Sequence, residues 1–249
     1  MSENKKAKFG ESFGSFIAAV LFILSVRWML GEPYVIPSGS MIPTLLVHDH
    51  ILVNKLAYGI RIPFTKKWIW HRDTPERGEI IVFRSVGPED EYFMIKRIVA
   101  IAGDTLEIDE DGRLIINGKL IERTPMTVTS LEDQAGGYYP VTTGDLGTEY
   151  DAVNVFEEDL MGVKHRIVHI KEPYRYGKNR FTVPADHVFM MGDNRDNSKD
   201  SRFWGSLPLD NVLGRATYVW LSCEETISFV PVLCNPLKIR WTRFFHEIK

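Results

Sequence analysis

The sequence predicts an all-β, β-dominated domain that carries a β-rich insertion and is tethered by one N-terminal transmembrane helix. Three observations lead there. One long apolar run occupies residues 13–30. Beyond it, apolar residues come in short runs rich in β-branched and aromatic side chains, bounded by Gly, Pro or Asp. Helical periodicity outside the first run is scarce, which favours a core built from sheets.

Residues 1–11 form a tail containing Lys5, Lys6 and Lys8, and residues 12–31 form the anchor. A span needs about 20 residues at about 1.5 Å rise each. This run reaches that length with Arg27 snorkelling and Trp28 in the interfacial aromatic belt. A cleaved signal peptide is the alternative, since the start is basic, but Gly31-Glu32-Pro33-Tyr34 offers no A-x-A-like site. The lysines keep the tail cytoplasmic by the positive-inside bias, so the chain beyond the anchor lies on the outer side of the membrane.

The core is assigned to residues 32–104 and 188–249, with strands at 51–53, 79–83, 92–101 and 188–191. The insertion is residues 105–187. It opens on a hairpin signal, Leu106-Glu107-Ile108 and Leu114-Ile115-Ile116-Asn117-Gly118-Lys119 flanking Asp109-Glu110-Asp111-Gly112. The polar stretch that follows contains Gly136-Gly137, Gly144 and Gly147 and reads as hairpins and long loops, with weaker strands near 165–170. Residues 229–249 mix Trp241, Phe244 and Phe245 with Lys238, Arg240 and Arg243, which suits a packed segment or one resting on a membrane surface.

Composition is ordinary for a globular protein, with 44% hydrophobic and 25% charged residues among 249. A net charge of −3 gives no electrostatic reason to expect nucleic acid. Cys223 and Cys234 suit either a disulfide in an exported domain or two buried thiols; spacing does not decide between them.

Chemistry concentrates in three segments. Pro37-Ser38-Gly39-Ser40-Met41-Ile42-Pro43-Thr44-Leu45 sets two serines at the mouth of the membrane. A serine hydroxyl is a weak nucleophile and needs a base. Seven histidines are available, but none sits in a patterned acidic context and no G-x-S-x-G elbow is present. Lys96 lies inside the longest apolar strand and shares a face with Met94 and Ile98, while Arg97 points to the other face. Desolvation there lowers a lysine from its ordinary ~10.4 toward neutrality, where it can accept a proton. A lysine snorkelling from a strand edge is the alternative.

The third segment runs Gly192-Asp193-Asn194-Arg195-Asp196-Asn197-Ser198-Lys199-Asp200-Ser201-Arg202-Phe203-Trp204-Gly205. Counted from Asp193, it has Arg195 and Ser198 where a calcium loop needs an oxygen ligand and a glycine. It reads instead as a loop buttressing a site, with Ser198 able to orient a lysine amine. His48-Asp49-His50 runs into a strand, and His165 and His169 lack the acid of H-E-x-x-H. No metal and no organic cofactor are expected.

In order and spacing these segments resemble type I signal peptidase, the membrane-bound Ser/Lys leader peptidase of bacteria. The resemblance rests on Ser38-Gly39-Ser40-Met41-Ile42-Pro43-Thr44-Leu45 and Asp49-His50-Ile51-Leu52-Val53-Asn54-Lys55. It continues in Arg77-Gly78-Glu79-Ile80-Ile81-Val82-Phe83, in the stretch from Ile95-Lys96-Arg97 to Gly103-Asp104, and in residues 192–205. It implies an extracytoplasmic catalytic domain in which Ser40 is the nucleophile and Lys96 the general base. Ser38 would add an oxyanion donor and Ser198 would position Lys96. Asp200 and Arg202 would form a supporting ion pair, with Asp193 and Arg195 also holding the loop.

The implied substrates are preproteins, whose signal peptides are cut after small residues. Ile36, Pro37, Met41, Leu45 and Ile95 would line the pockets, Tyr34 would close the distal one, and Met94 stands where the family often has an aromatic residue. The family often has two spans before the serine; one is expected here. The resemblance further implies a monomer in the bacterial inner membrane, in contact with lipid. A self-cleaving Ser/Lys protease is a rival, but Ala102-Gly103 and Ala135-Gly136 both follow Ser40. A non-catalytic, membrane-anchored binder of signal peptides is the other.

Overall fold

The computed structural model describes residues 14–20, 31–61, 65, 68–86, 92–127, 131, 138–171 and 179–248. Its centre is an eight-stranded antiparallel sheet. In order across the sheet the strands are Gly31–Val35, Asp49–Asn54, Val212–Ser222, Ile80–Arg84, Phe93–Ile101, His187–Met191 and Leu207–Pro208, and His246–Glu247 adds to Val212–Ser222. The four strands read from the sequence fall on four of these. In Ile80–Arg84, Phe93–Ile101 and His187–Met191 the near-continuous apolar character has a direct cause, since both faces are largely covered. Ile80, Val82 and Ile95 pack on one face with Ile51 and Val53, while Ile81, Phe83 and Ile98 pack on the other with Val188, Met190 and Leu207.

The long strand Val212–Ser222 has no such signature, because Gly214, Arg215 and Thr217 interrupt it. Gly214 is there for a steric reason: a Cβ would lie 2.5 Å from the carbonyl oxygen of Asn54 on the neighbouring strand. Behind this strand, Cys223 and Cys234 are joined in a disulfide with a Cα–Cα distance of 5.7 Å. It ties down the hairpin formed by Thr226–Ile227 and Val230–Cys234.

The inserted region is more ordered than a set of loops. Glu122–Met126, Val153–Leu160 and Val163–Ile170 form one antiparallel sheet. Asn179–Thr182, Thr105–Ile108, Leu114–Ile116 and Lys119–Leu120 form another. The expected hairpin is present, with Leu106 opposite Ile116 and Ile108 opposite Leu114. The run 114–119 is broken, however, by a two-residue turn. Asn117 and Gly118 take φ of 53° and 79°, and Lys119–Leu120 folds back on Leu114–Ile116. Asn-Gly favours this turn because both central positions need positive φ.

The boundaries drawn at 105 and 187 do not separate two cores. Leu106, Ile108, Leu114, Ile116, Leu160 and Val183 pack together with Val99, Ala100, Phe189 and Met191 of the central sheet. A second shared cluster joins Ile42 and Leu46 to Val141, Val153, Val155 and Val168. Most of the expected anchor and the whole expected tail lie outside the described residues. Residues 14–20 are helical, and Gly31 already begins a strand. Among the described residues no helix is long and apolar enough to cross a membrane.

Candidate active site

Ser40 sits in a single 3₁₀ turn, Gly39–Met41, that follows the edge strand Gly31–Val35. Lys96 is the fourth residue of Phe93–Ile101. His187–Met191 pairs with that strand from Arg97 onward, so the residues before Arg97 have no strand partner on that side among the described residues. Here Lys96 and Ser40 meet. Lys96 Nζ donates to Ser40 Oγ at 2.6 Å and to the Ile95 carbonyl at 2.8 Å. Lys96 is 3% exposed and Ser40 8%. The Ser38 hydroxyl lies 3.4 Å from Ser40 Oγ and is exposed.

Burial pushes the Lys96 amine down from 10.5 to about 8, because the ammonium loses its hydration. Asp200 and Asp193 work against this and Arg202 reinforces it. An amine with that affinity, hydrogen-bonded to a hydroxyl, can take the hydroxyl proton near neutral pH.

The loop after His187–Met191 closes over the serine turn. Asn194 donates from its backbone N–H to the Ser40 carbonyl at 3.2 Å and from Nδ2 to the Gly39 carbonyl at 3.0 Å. Only glycine fits at 192, since a Cβ would stand 2.4 Å from both the Ser40 carbonyl oxygen and Ser198 Oγ. Asp200 organises the loop: its carboxylate accepts from Gly192 N at 3.0 Å and Ser198 Oγ at 2.7 Å. Arg202 pairs with the same carboxylate through Nε and Nη2, both at 2.8 Å.

Other expectations meet a different geometry. Ser198 gives its hydroxyl to Asp200, so it reaches the surroundings of Lys96 through that carboxylate and not by a bond to the amine. Asp193 and Arg195 hold the loop, but through residues far from it. Arg97 donates to both oxygens of Asp193, at 2.9 and 2.8 Å, and Thr44 Oγ1 adds a third bond at 2.5 Å. Burial alone would raise the Asp193 carboxyl; Arg97, with His165 and Thr44, outweighs it and holds the group below the usual carboxylate range. Arg195 pairs with Glu158 of the insertion.

Arg97, Glu158 and Asp49 were not singled out from the sequence as site residues. For Arg97 a signal existed: a strand buried on both faces contained a second charged residue, and a buried charge requires a partner. Asp49 carries part of the family resemblance and stands between two histidines, but the sequence assigned it no role in the site. It accepts from Arg243 Nη2 at 2.5 Å, Arg243 Nε at 3.1 Å and Leu46 N at 2.8 Å. Arg243 Nη2 also reaches the Thr44 carbonyl at 3.2 Å. Among the described residues no group of three His, Cys, Asp or Glu is arranged to hold a metal ion.

The expected pocket residues divide. Ile36, Met41 and Leu45 are 2%, 0% and 0% exposed and belong to the core with Ile51, Val53 and Ile95, so in this structure they offer almost no face to a peptide. Their side chains fill the space where the serine turn folds onto the sheet. Ile95 is also buried. Met94 is half-buried and packs on the other face of the sheet with Phe83 and Ile98. Pro37 is exposed, and the half-buried Tyr34 donates to Glu32 Oε2 at 2.9 Å and meets Phe93 edge-on at 5.5 Å.

Comparison with known proteins adds an independent line. Residues 9–221 match the family model described as signal peptidase, peptidase S26. The chain is 39% identical over 235 residues to a Signal peptidase I of Pseudomonas fluorescens, an alignment covering 89% of this chain and 76% of that protein. It is 39% identical over 233 residues to a Signal peptidase I of Pseudomonas aeruginosa, with the same coverages. To a Signal peptidase I of Aquifex aeolicus it is 35% identical over 234 residues, covering 88% of this chain and 86% of that one. With a family match over most of its length, and relatives aligned over more than three quarters of theirs, the chain belongs to the signal peptidase family of S26 peptidases.

Proposed function

We propose that the enzyme removes signal peptides from exported preproteins by a Ser/Lys mechanism, cutting after small residues, with Ser40 as nucleophile and Lys96 as general base. Removal of signal peptides is the activity of the family; the dyad and the cleavage preference are our reading. The observation that carries it is the Lys96 amine, buried, lowered to about 8 and 2.6 Å from Ser40 Oγ.

In the reacting state the neutral amine accepts the proton of the Ser40 hydroxyl as Oγ attacks the scissile carbonyl carbon. The Ser38 hydroxyl and the Ser40 backbone N–H meet the developing oxyanion, the role such donors play in acyl transfer. The protonated Lys96 returns the proton to the leaving amide nitrogen, which departs as the new N-terminus. An acyl-enzyme on Ser40 remains. Lys96 then takes a proton from water, whose oxygen attacks the ester carbonyl; as the bond to Ser40 Oγ breaks, Lys96 returns the proton to Oγ and the signal peptide leaves with a new carboxyl terminus.

The substrate lies extended along the strand Phe93–Ile101, where its edge is open before Arg97, and makes main-chain hydrogen bonds there. Tyr34, Pro37 and Met94 flank this path. Because Ile36, Met41 and Leu45 are packed into the core, they leave no deep pocket beneath this path, and a shallow path favours small side chains. The enzyme acts as a monomer on the outer face of the bacterial inner membrane, held by residues 12–31 with the tail cytoplasmic.

The test is cleavage of a detergent-solubilised preprotein by the wild type, Ser40→Ala and Lys96→Ala. Wild type alone should release a mature N-terminus that follows a small residue. Equal cleavage by all three would remove both residues from the chemistry.

A further inference from the structure

Glu158 lies in the inserted region, on the strand Val153–Leu160, far from the reacting atoms in sequence. Its carboxylate grips Arg195 at two points: Arg195 Nη1 donates to Oε1 at 2.9 Å, and Nη2 donates to Oε2. Both side chains are 1% exposed. The His165 imidazole faces the same carboxylate, with Nε2 3.4 Å from Oε2, and the Arg123 charge acts on it from further out. Burial alone would raise the Glu158 carboxyl; Arg195 and His165 outweigh it and hold the group ionised. A buried ion pair is seldom a gain in stability over apolar side chains of the same size, so its placement here calls for another reason.

The pair lies where the insertion meets the site loop. The strand Val163–Ile170 runs parallel to the loop at Asn194, with Val168 N donating to the Asp193 carbonyl at 3.0 Å and Arg195 N donating to the Val168 carbonyl at 2.9 Å. From Arg195 the connections run toward the amine. The Arg195 carbonyl accepts from Arg202 Nη2 at 2.6 Å, and Arg202 neutralises Asp200 through two bonds. The charged groups acting on the Lys96 amine are Asp200 and Asp193, which favour the ammonium, and Arg202, which disfavours it.

We propose that Glu158 is a positioning residue for Lys96: by fixing Arg195 it fixes Arg202, and thereby the charge balance at Asp200 that keeps the lysine a free base. This rests on the reading of Lys96 as the base. Loosening Arg195 releases one anchor of Arg202. Asp200 is then less neutralised and Arg202 is further from the amine. Both changes favour the ammonium, so the amine titrates at higher pH.

The experiment measures kcat/KM against pH for the full chain in detergent, with a preprotein substrate, for the wild type, Glu158→Gln, Glu158→Asp and Lys96→Ala. Thermal unfolding is followed alongside. Glu158→Gln should move the acid limb upward by about half a pH unit or more, and Glu158→Asp should restore part of that shift. Where Glu158→Gln does not fold, Arg195→Lys takes its place, since it keeps the charge and loses the two-point grip. A lower rate at every pH with an unmoved limb overturns the proposal, because a purely structural defect gives that result. A wild-type profile without an acid limb, or one shared by Lys96→Ala, overturns the lysine reading itself and this proposal with it.

Discussion

Lys96 Nζ and Ser40 Oγ, 56 positions apart in the chain, lie 2.6 Å apart, and both side chains are cut off from bulk water. The amine carries the proton below about 8 and is free above it. As the proposed base, it must be free. kcat/KM should therefore fall about tenfold for each pH unit below that value. A rate that stays level from pH 8 to pH 6 would contradict the assignment.

The same burial should cost stability. Lys96 in the folded chain binds its proton more weakly than in the unfolded chain, so the unfolded state holds more protons between about 8 and 10.5. Stability should rise with pH across that window, and the penalty is present in full below it. A lysine lowered this far corresponds to about 3 kcal/mol. Lys96→Met should therefore abolish cleavage yet unfold at a higher temperature at pH 7. Thermal unfolding followed by circular dichroism reads this directly, and a lower Tm would argue against a strained lysine.

Ser38→Ala removes a hydroxyl 3.4 Å from Ser40 Oγ without touching the core. If that hydroxyl meets the oxyanion, kcat should drop by about 10²-fold or more while KM changes little. An unchanged kcat removes Ser38 from the role.

Gly192→Ala places a methyl group 2.4 Å from the Ser40 carbonyl oxygen and from Ser198 Oγ. Something must shift, and both neighbours belong to the site. A displacement of about 1 Å in a catalytic group typically costs about 10²-fold. Steady-state kinetics should show that loss with the strand content intact by circular dichroism.

Asp193→Asn leaves Arg97, 0% exposed, beside a neutral amide. Breaking a buried pair in this way should destabilise the fold by about 3–5 kcal/mol. Chemical denaturation would measure it, and a change below about 1 kcal/mol would mean that the pair contributes little.

The sequence made the central sheet legible where both faces are apolar, as in Phe93–Ile101 and His187–Met191. It hid Val212–Ser222, whose fit depends on a close approach at Gly214 that no local pattern announces. A lysine on an apolar face and a serine between prolines are each conspicuous, but it was the resemblance of their segments to a known family that paired Ser40 with Lys96. The partners of the supporting charges were not foreseeable. Arg97 with Asp193, Arg195 with Glu158 and Asp49 with Arg243 are paired across 96, 37 and 194 positions. Ion pairing at such separations follows from topology and leaves no local spacing to read. For the same reason Ile36, Met41 and Leu45 looked like pocket walls: apolar residues near a nucleophile have the same composition whether they face a groove or the core.

The bond between Arg243 and Asp49 bears on when activity can begin. Asp49 and the Thr44 carbonyl, which pin the segment carrying Ser40, receive their cationic partner from residue 243. A growing polypeptide has the serine, the lysine and the site loop some forty residues before it has that arginine. Until then the Asp49 carboxylate lacks the arginine that pairs with it in the folded chain. In order of synthesis, the brace on the segment carrying Ser40 is therefore the last of these parts to be made.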